Sequence, residues 1–186
     1  MALEDLLAQT EARFKKAIDA LKHDVSSVRT GRAAPSLVEQ LEVEAYGVPT
    51  PLIQLAQINA PEPRQILIQP YDRSLIKAIE KAIQSSDLGV APNSDGAVIR
   101  LNIPALTEER RKDLVKVLHK KVEEGRVEIR TLRRHTHDEM RSKEKSSGVT
   151  ADEVKRLETQ LQKLTDRYIL MADEIGTAKE KEILAV

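Results

Sequence analysis

An α+β fold is what this sequence predicts: a long three-helix bundle into which a small β-rich domain with one helix is inserted. Three observations lead there. Apolar residues recur at helical spacing over residues 2–30, 107–145 and 150–178. The stretch 31–103 instead holds seven of the eight prolines, Pro35, Pro49, Pro51, Pro61, Pro63, Pro70 and Pro92, and so cannot form a long helix. The order then decides the topology. A solitary amphipathic helix gains most of its stability from packing, and the partners of the first helix lie beyond residue 103.

The first helix is read over 2–30, with Leu7, Phe14, Leu21 and Val28 seven apart and Ile18 and Val25 between them. Within 31–103, "LEVEAYGVPTP" alternates around Leu41, Val43 and Ala45 and stops at a Gly/Pro cluster. "RQILIQP" reads as a short buried strand, and "NSDGAVIRLNI" puts Asp95-Gly96 where a hairpin turns. Between them Asp72 can cap a helix that turns Leu75, Ile76, Ile79, Ala82 and Ile83 inward. The second long helix is expected from Thr107 to about Lys145, ending at "KSSGV". The third opens on the capping-box pair Thr150 and Glu153 and carries a seam of Val154, Leu157, Leu161, Leu164, Tyr168, Met171, Ile175 and Ala178.

The predicted boundaries are therefore 1–30 with 104–186 for the bundle and 31–103 for the insert. The chain crosses twice, at "RTGRAAP" and "NIPAL". Arg29, Thr30, Gly31 and Arg32 on one strand, with Ile103, Pro104 and Ala105 on the other, are expected to form a two-stranded hinge. Gly31 also reads as the residue that ends the first helix.

Composition narrows function. With no cysteine among 186 residues, disulfides and thiolate metal sites are excluded, and a reducing cytoplasm is the expected location. "MALEDLLAQTE" carries acids where a secretion leader needs bases, and no apolar run approaches a membrane span. Formal net charge is zero, yet residues 107–145 hold 13 Lys and Arg against 9 Asp and Glu, the only basic surplus along the chain. Wound at about 100° per residue, Arg126, Arg130, Arg133, Arg134 and Arg141 share one sector with Lys112, Lys116, His119 and His137, and Glu123 intrudes. Arginine's planar fork suits phosphate oxygens. One Phe, three Tyr and no Trp leave no stacking platform for single strands, so the residues point to a structured RNA met through its phosphates. A solvated flank on a scaffold protein whose bundle binds another helix is the competing reading. A metal-dependent hydrolase using His135 and Asp138 is a third, opposed by spacing: His135 and His137 are two apart and fall about 160° from each other on a helix.

Six segments in order, "VRTGRAAP" (28–35), "YGVPTPLIQLA" (46–56), "APEPR" (60–64), "SDLGVAPNSDG" (86–96), "IPALTEERRKDL" (103–114) and "EEGRVEIRTLRR" (123–134), resemble the ribosome recycling factor family across essentially the whole chain. The resemblance implies a three-helix bundle bearing a β/α/β domain joined by two hinge strands, and a monomeric, non-enzymatic translation factor without a cofactor. It implies binding to the large-subunit rRNA of the post-termination ribosome across the aminoacyl and peptidyl sites. Splitting into subunits with elongation factor G and GTP would follow, releasing messenger RNA and deacylated transfer RNA. The family's ribosome-contacting arginine maps onto Arg133, flanked by Arg130 and Arg134, with Arg126 on the same flank. Arg110 and Arg111 fall in the "LTEERR" motif. The family usually has Asn and Asp where this chain has Thr131 and His135.

Overall fold

The computed structural model describes residues 3–185. The chain divides into two compact units, one of residues 1–30 with 108–186 and one of residues 31–107.

The first unit is three helices: α1 (Leu3–Ser26), α3 (Glu108–Ser146) and α4 (Ala151–Leu184); α2 belongs to the other unit. Each of the three packs on both others. Helix α1 is shorter than expected. It stops at Ser26 because the Ser26 and Ser27 hydroxyls donate to the His23 and Asp24 carbonyls at 2.6 Å, taking acceptors near the helix end. Gly31 is thus not the helix terminator read from the sequence; it lies five residues past the last helical position. Helix α4 begins on the expected capping box. The Thr150 hydroxyl accepts from the Glu153 N–H at 3.3 Å, and the Glu153 carboxylate accepts from the Thr150 N–H at 3.0 Å.

The seam of α4 departs from the heptad reading. The buried positions are Val154, Leu157, Leu161, Thr165, Tyr168, Ala172, Gly176 and Ile183, while Leu164, Met171 and Ile175 are half-buried and Ala178 is exposed. From Val154 to Gly176 the seam moves 22 residues in six steps, about 3.7 per step and nearer the 3.6 of a straight helix than the 3.5 of a heptad. Small residues hold the inner line at its closest points. A methyl on Gly176 would lie 2.9 Å from Val122 Cγ2.

The bundle interior falls into two apolar clusters. Phe14, Ile18, Leu21, Leu118, Val122, Ile129, Tyr168 and Ala172 belong to the larger, in which the Phe14 and Tyr168 rings are 5.4 Å apart and tilted by 49°. Leu3, Leu6, Met140, Val154, Leu157 and Leu161 form the smaller. Between them in sequence each helix contributes one buried threonine: Thr10, Thr136 and Thr165.

The second unit holds six strands and one helix. Strands β1 (Glu42–Ala45) and β2 (Val48–Pro51) form an antiparallel hairpin. Strands β3 (Ala56–Glu62), β4 (Gln65–Pro70), β5 (Pro92–Ser94) and β6 (Ile99–Asn102) form an antiparallel sheet in the order β3-β4-β6-β5. Helix α2 (Ile76–Gln84) follows a 3₁₀ turn whose cap is Asp72, accepting from the Ser74 N–H at 2.9 Å. Its Ile76, Ile79 and Ile83 meet Val43, Ala45, Ile66, Ile68, Ile99 and Leu101 in one core, giving the β/α/β arrangement. Strand β3 alternates Ala56, Ile58 and Ala60 with Gln57 and Asn59, but its apolar side is small and only Ala56 is fully buried. It is an edge strand, and Pro61 falls where the register shifts between Asn59 and Glu62, a bulge that needs no ladder N–H. The Asp95-Gly96 turn forms as expected, with Asp95 Oδ1 accepting from the Ala97 and Val98 N–H groups at 3.1 and 3.0 Å. Those bonds hold the Asp95 carboxyl below its ordinary range.

Both crossing strands are fastened at one place in this unit. The Ala33 N–H donates to the Pro63 carbonyl and the Ile103 N–H to the Arg64 carbonyl, each at 2.7 Å. Ile103 is therefore tied to the sheet, and the residues left outside this clasp are Arg29 to Arg32, Pro104 and Ala105. Gly31 adopts φ +79°, and a side chain there would meet Leu106 Cγ at 3.1 Å.

Candidate nucleic-acid interface

Helix α3 presents the arginine flank because its other side is spent on the core: Leu118, Val122, Gly125, Ile129, Thr136 and Met140 are buried. Gly125 matters for position, since a methyl there would lie 3.0 Å from Leu21 Cδ2 and require that side chain to shift.

The sequence sorted these arginines by angle alone, and the structure separates them by partner. Arg126 is the most constrained. Its Nε donates to Asp173 Oδ1 on α4 at 2.6 Å, its Nη1 donates to Glu123 Oε2 at 2.8 Å, and its side chain is 29% exposed. Arg141 is likewise held twice, by Glu158 on α4 at 2.7 Å and by Glu144 at 3.1 Å. Arg130 has one carboxylate, Glu123 Oε1 at 3.2 Å, and is 50% exposed. Arg133 is half-buried and Arg134 exposed, and among the described residues neither has a carboxylate or a hydrogen-bond partner. Arg110 stands in the first turn of α3, exposed, about 160° around the helix from Arg126 and so off this flank.

Glu123 thus serves two arginines with its two oxygens. The Arg126 hydrogen bond is the main cause holding its carboxyl below the usual range, and the bond to Arg130 adds to it. The i,i+3 and i,i+7 spacing of these three was visible in the sequence. Asp173 was not, because nothing in a linear chain says which residue of α4 faces Arg126.

The histidines part company. His135 is exposed. His137 reaches Glu158 Oε1 through Nε2 at 3.2 Å and Asp138 Oδ1 through Nδ1 at 3.5 Å, so it joins α3 to α4. His119 does the same one end further along, with Glu180 at 3.2 Å. Among the described residues no cluster of three or more metal-ligating side chains exists, and no helix is long and apolar enough to cross a membrane.

What the flank offers is two guanidinium groups on adjacent residues that have no carboxylate partner among the described residues, bordered on both sides by arginines already neutralised. Such a surface can take up phosphate oxygens around residues 133 and 134.

Comparison with known proteins is consistent throughout the chain. The family model for ribosome recycling factor matches residues 21–184. The ribosome-recycling factor of Chloroflexus aurantiacus is 52% identical over 184 residues, covering 99% of this chain and 100% of the relative. That of Desulforamulus reducens is 50% identical with the same coverage. A solution structure of ribosome recycling factor superposes with a TM-score of 0.74 at 44% identity, over 100% of this chain and 99% of the other. A second match, with a TM-score of 0.63 and 45% identity over the full length of both chains, comes from models of the T. thermophilus ribosome recycling factor and the E. coli elongation factor G bound to the E. coli post-termination complex. By full-length identity and by fold, the chain belongs to the ribosome recycling factor family.

Proposed function

We propose that this chain binds the post-termination ribosome and, with elongation factor G and GTP, splits it into subunits, so that messenger RNA and deacylated transfer RNA are released. The observation that carries this reading is the adjacent pair Arg133 and Arg134, cationic and without a carboxylate partner among the described residues on α3, in a chain matched end to end by ribosome-recycling factors. The bundle docks on large-subunit rRNA across the aminoacyl and peptidyl sites, with phosphates meeting that pair. Arg110 adds a contact from another side of the helix. Arg126 contributes by keeping α3 and α4 together.

The protein acts as a cytoplasmic monomer and catalyses nothing itself; the work comes from GTP hydrolysed by elongation factor G. Movement of the β-containing unit is accommodated in residues 29–32 with Pro104 and Ala105, because Ala33 and Ile103 are fastened to the β3–β4 turn. The test is breakdown of purified polysomes by elongation factor G and GTP, with and without this protein. Conversion to free subunits only when all three are present supports the proposal. Polysomes that persist in the full mixture refute it.

A further inference from the structure

The arginines of α3 form a graded series. Arg126 and Arg141 each have two carboxylates, Arg130 has one, and Arg133 and Arg134 have none among the described residues. The single carboxylate on Arg130 is Glu123, itself half-exposed at 52% and bonded mainly to Arg126. The Arg130 contact is the longer of the two, 3.2 against 2.8 Å. Both partners of this contact are open to solvent, and Glu123 keeps Arg126 as a partner if Arg130 leaves.

We infer that Glu123 is a competitor built into the RNA-facing flank: it holds Arg130 away from phosphate, so that Arg130 joins Arg133 and Arg134 only by exchanging a carboxylate for a phosphate oxygen. The inference rests on the reading that Arg133 and Arg134 meet rRNA phosphates. Its consequence is kinetic. A cation that must break an ion pair before binding adds little net affinity, and that ion pair re-forms on release, which keeps dissociation fast. Arg126 cannot play the same part, since Asp173 would still hold it after Glu123 let go.

The experiment measures dissociation constants and off-rates on purified ribosomes across a salt series for the wild type, Glu123→Gln, Arg130→Gln, the double variant, and Arg133→Ala. Glutamine keeps helix propensity and length at an exposed site, and a thermal melt of each variant verifies the fold. The expected result for Glu123→Gln is about threefold tighter binding, a slower off-rate and a salt slope steeper by about one unit, all lost in the double variant. Unchanged or weaker binding in Glu123→Gln, while Arg133→Ala weakens it, overturns the competitor role alone. A gain that survives in the double variant overturns the assignment to Arg130. Loss of any effect of Arg133→Ala overturns the phosphate reading and this inference with it.

Discussion

The hydroxyls of Thr10 and Thr136, 126 residues apart in sequence and 1% exposed each, lie 2.7 Å from one another inside the bundle. Thr10 Oγ1 is also 2.8 Å from the Leu6 carbonyl and Thr136 Oγ1 3.0 Å from the Leu132 carbonyl. Two hydroxyl protons serve three contacts, so one threonine donates to its own helix while the other donates across to it.

Single Thr10→Val and Thr136→Val substitutions each leave a buried hydroxyl that still has its own helix carbonyl. Each is therefore expected to cost only about 1 kcal/mol, and the double variant less than the sum. Urea unfolding of the four-member cycle measures this. Strict additivity would mean that the two hydroxyls do not interact.

Gly176→Ala gains helix propensity yet places a methyl 2.9 Å from Val122 Cγ2. Overpacking of this kind costs about 1–3 kcal/mol against a propensity gain of about 1. The variant should unfold at lower denaturant, and adding Val122→Ala should recover part of the loss. Stabilisation by Gly176→Ala alone would contradict the close approach of α3 and α4.

Arg133→Ala is expected to weaken ribosome binding about tenfold and flatten the salt slope by about one unit, with little change in melting temperature. Arg126→Ala should reverse that pattern, since its guanidinium is committed to Asp173 and Glu123. Thermal melts alongside ribosome pelleting distinguish the two.

Gly31→Ala puts a side chain at φ +79° against Leu106, a conformation that costs an L-residue about 1–2 kcal/mol. Gly31→Pro cannot adopt it at all. Ribosome binding should persist in both, and subunit splitting with elongation factor G and GTP, followed by light scattering, should fall. Equal loss of the two activities would end the division of labour proposed between the arginine flank and the crossing strands.

Acid should act through carboxyls that accept hydrogen bonds in the folded chain. The Thr150 N–H and hydroxyl hold the Glu153 carboxyl below the ordinary 4.5, and Tyr46 and Ser74 hold Asp72 below 3.8. A depressed folded value means stability that is full above the unfolded value and lost as pH falls through the folded one. These contributions are therefore complete at pH 6, begin to fade only near the unfolded values of 4.5 for Glu153 and 3.8 for Asp72, and are gone once the pH has fallen through the lower folded values. Glu153→Gln should blunt the acid-induced fall in melting temperature, and Thr150→Ala should cost about 1 kcal/mol at pH 7.

The architecture was readable because the signals are long and redundant. Each long helix repeats its apolar stripe many times, and Thr150 with Glu153 marks a start by chemistry alone. Single-residue substitutes hid the rest. Thr165 and Gly176 take inner positions on α4 that apolarity would give to Leu164 and Ile175, so the seam looked like a heptad. Strand β3 was hidden by its edge position and Pro61. The β1–β2 turn was hidden because Tyr46, at φ +52°, fills a left-handed site where Asn or Gly is the usual sign. The arginine flank was legible by angle, whereas its neutralisation depends on Asp173 and Glu158 from another helix.

The clasp formed by the Pro63 and Arg64 carbonyls also bears on how the chain folds. It brings residues 33 and 103 to consecutive acceptors, so once the sheet unit has formed, its entry and exit are neighbours. To α1 and α3 the 31–107 segment then behaves as a loop of a few residues instead of some eighty, and the closure entropy of the bundle shrinks accordingly. If the inserted unit forms before the bundle, it shortens the search for the helices flanking it; the hairpins β1–β2, β3–β4 and β5–β6 are its local contacts.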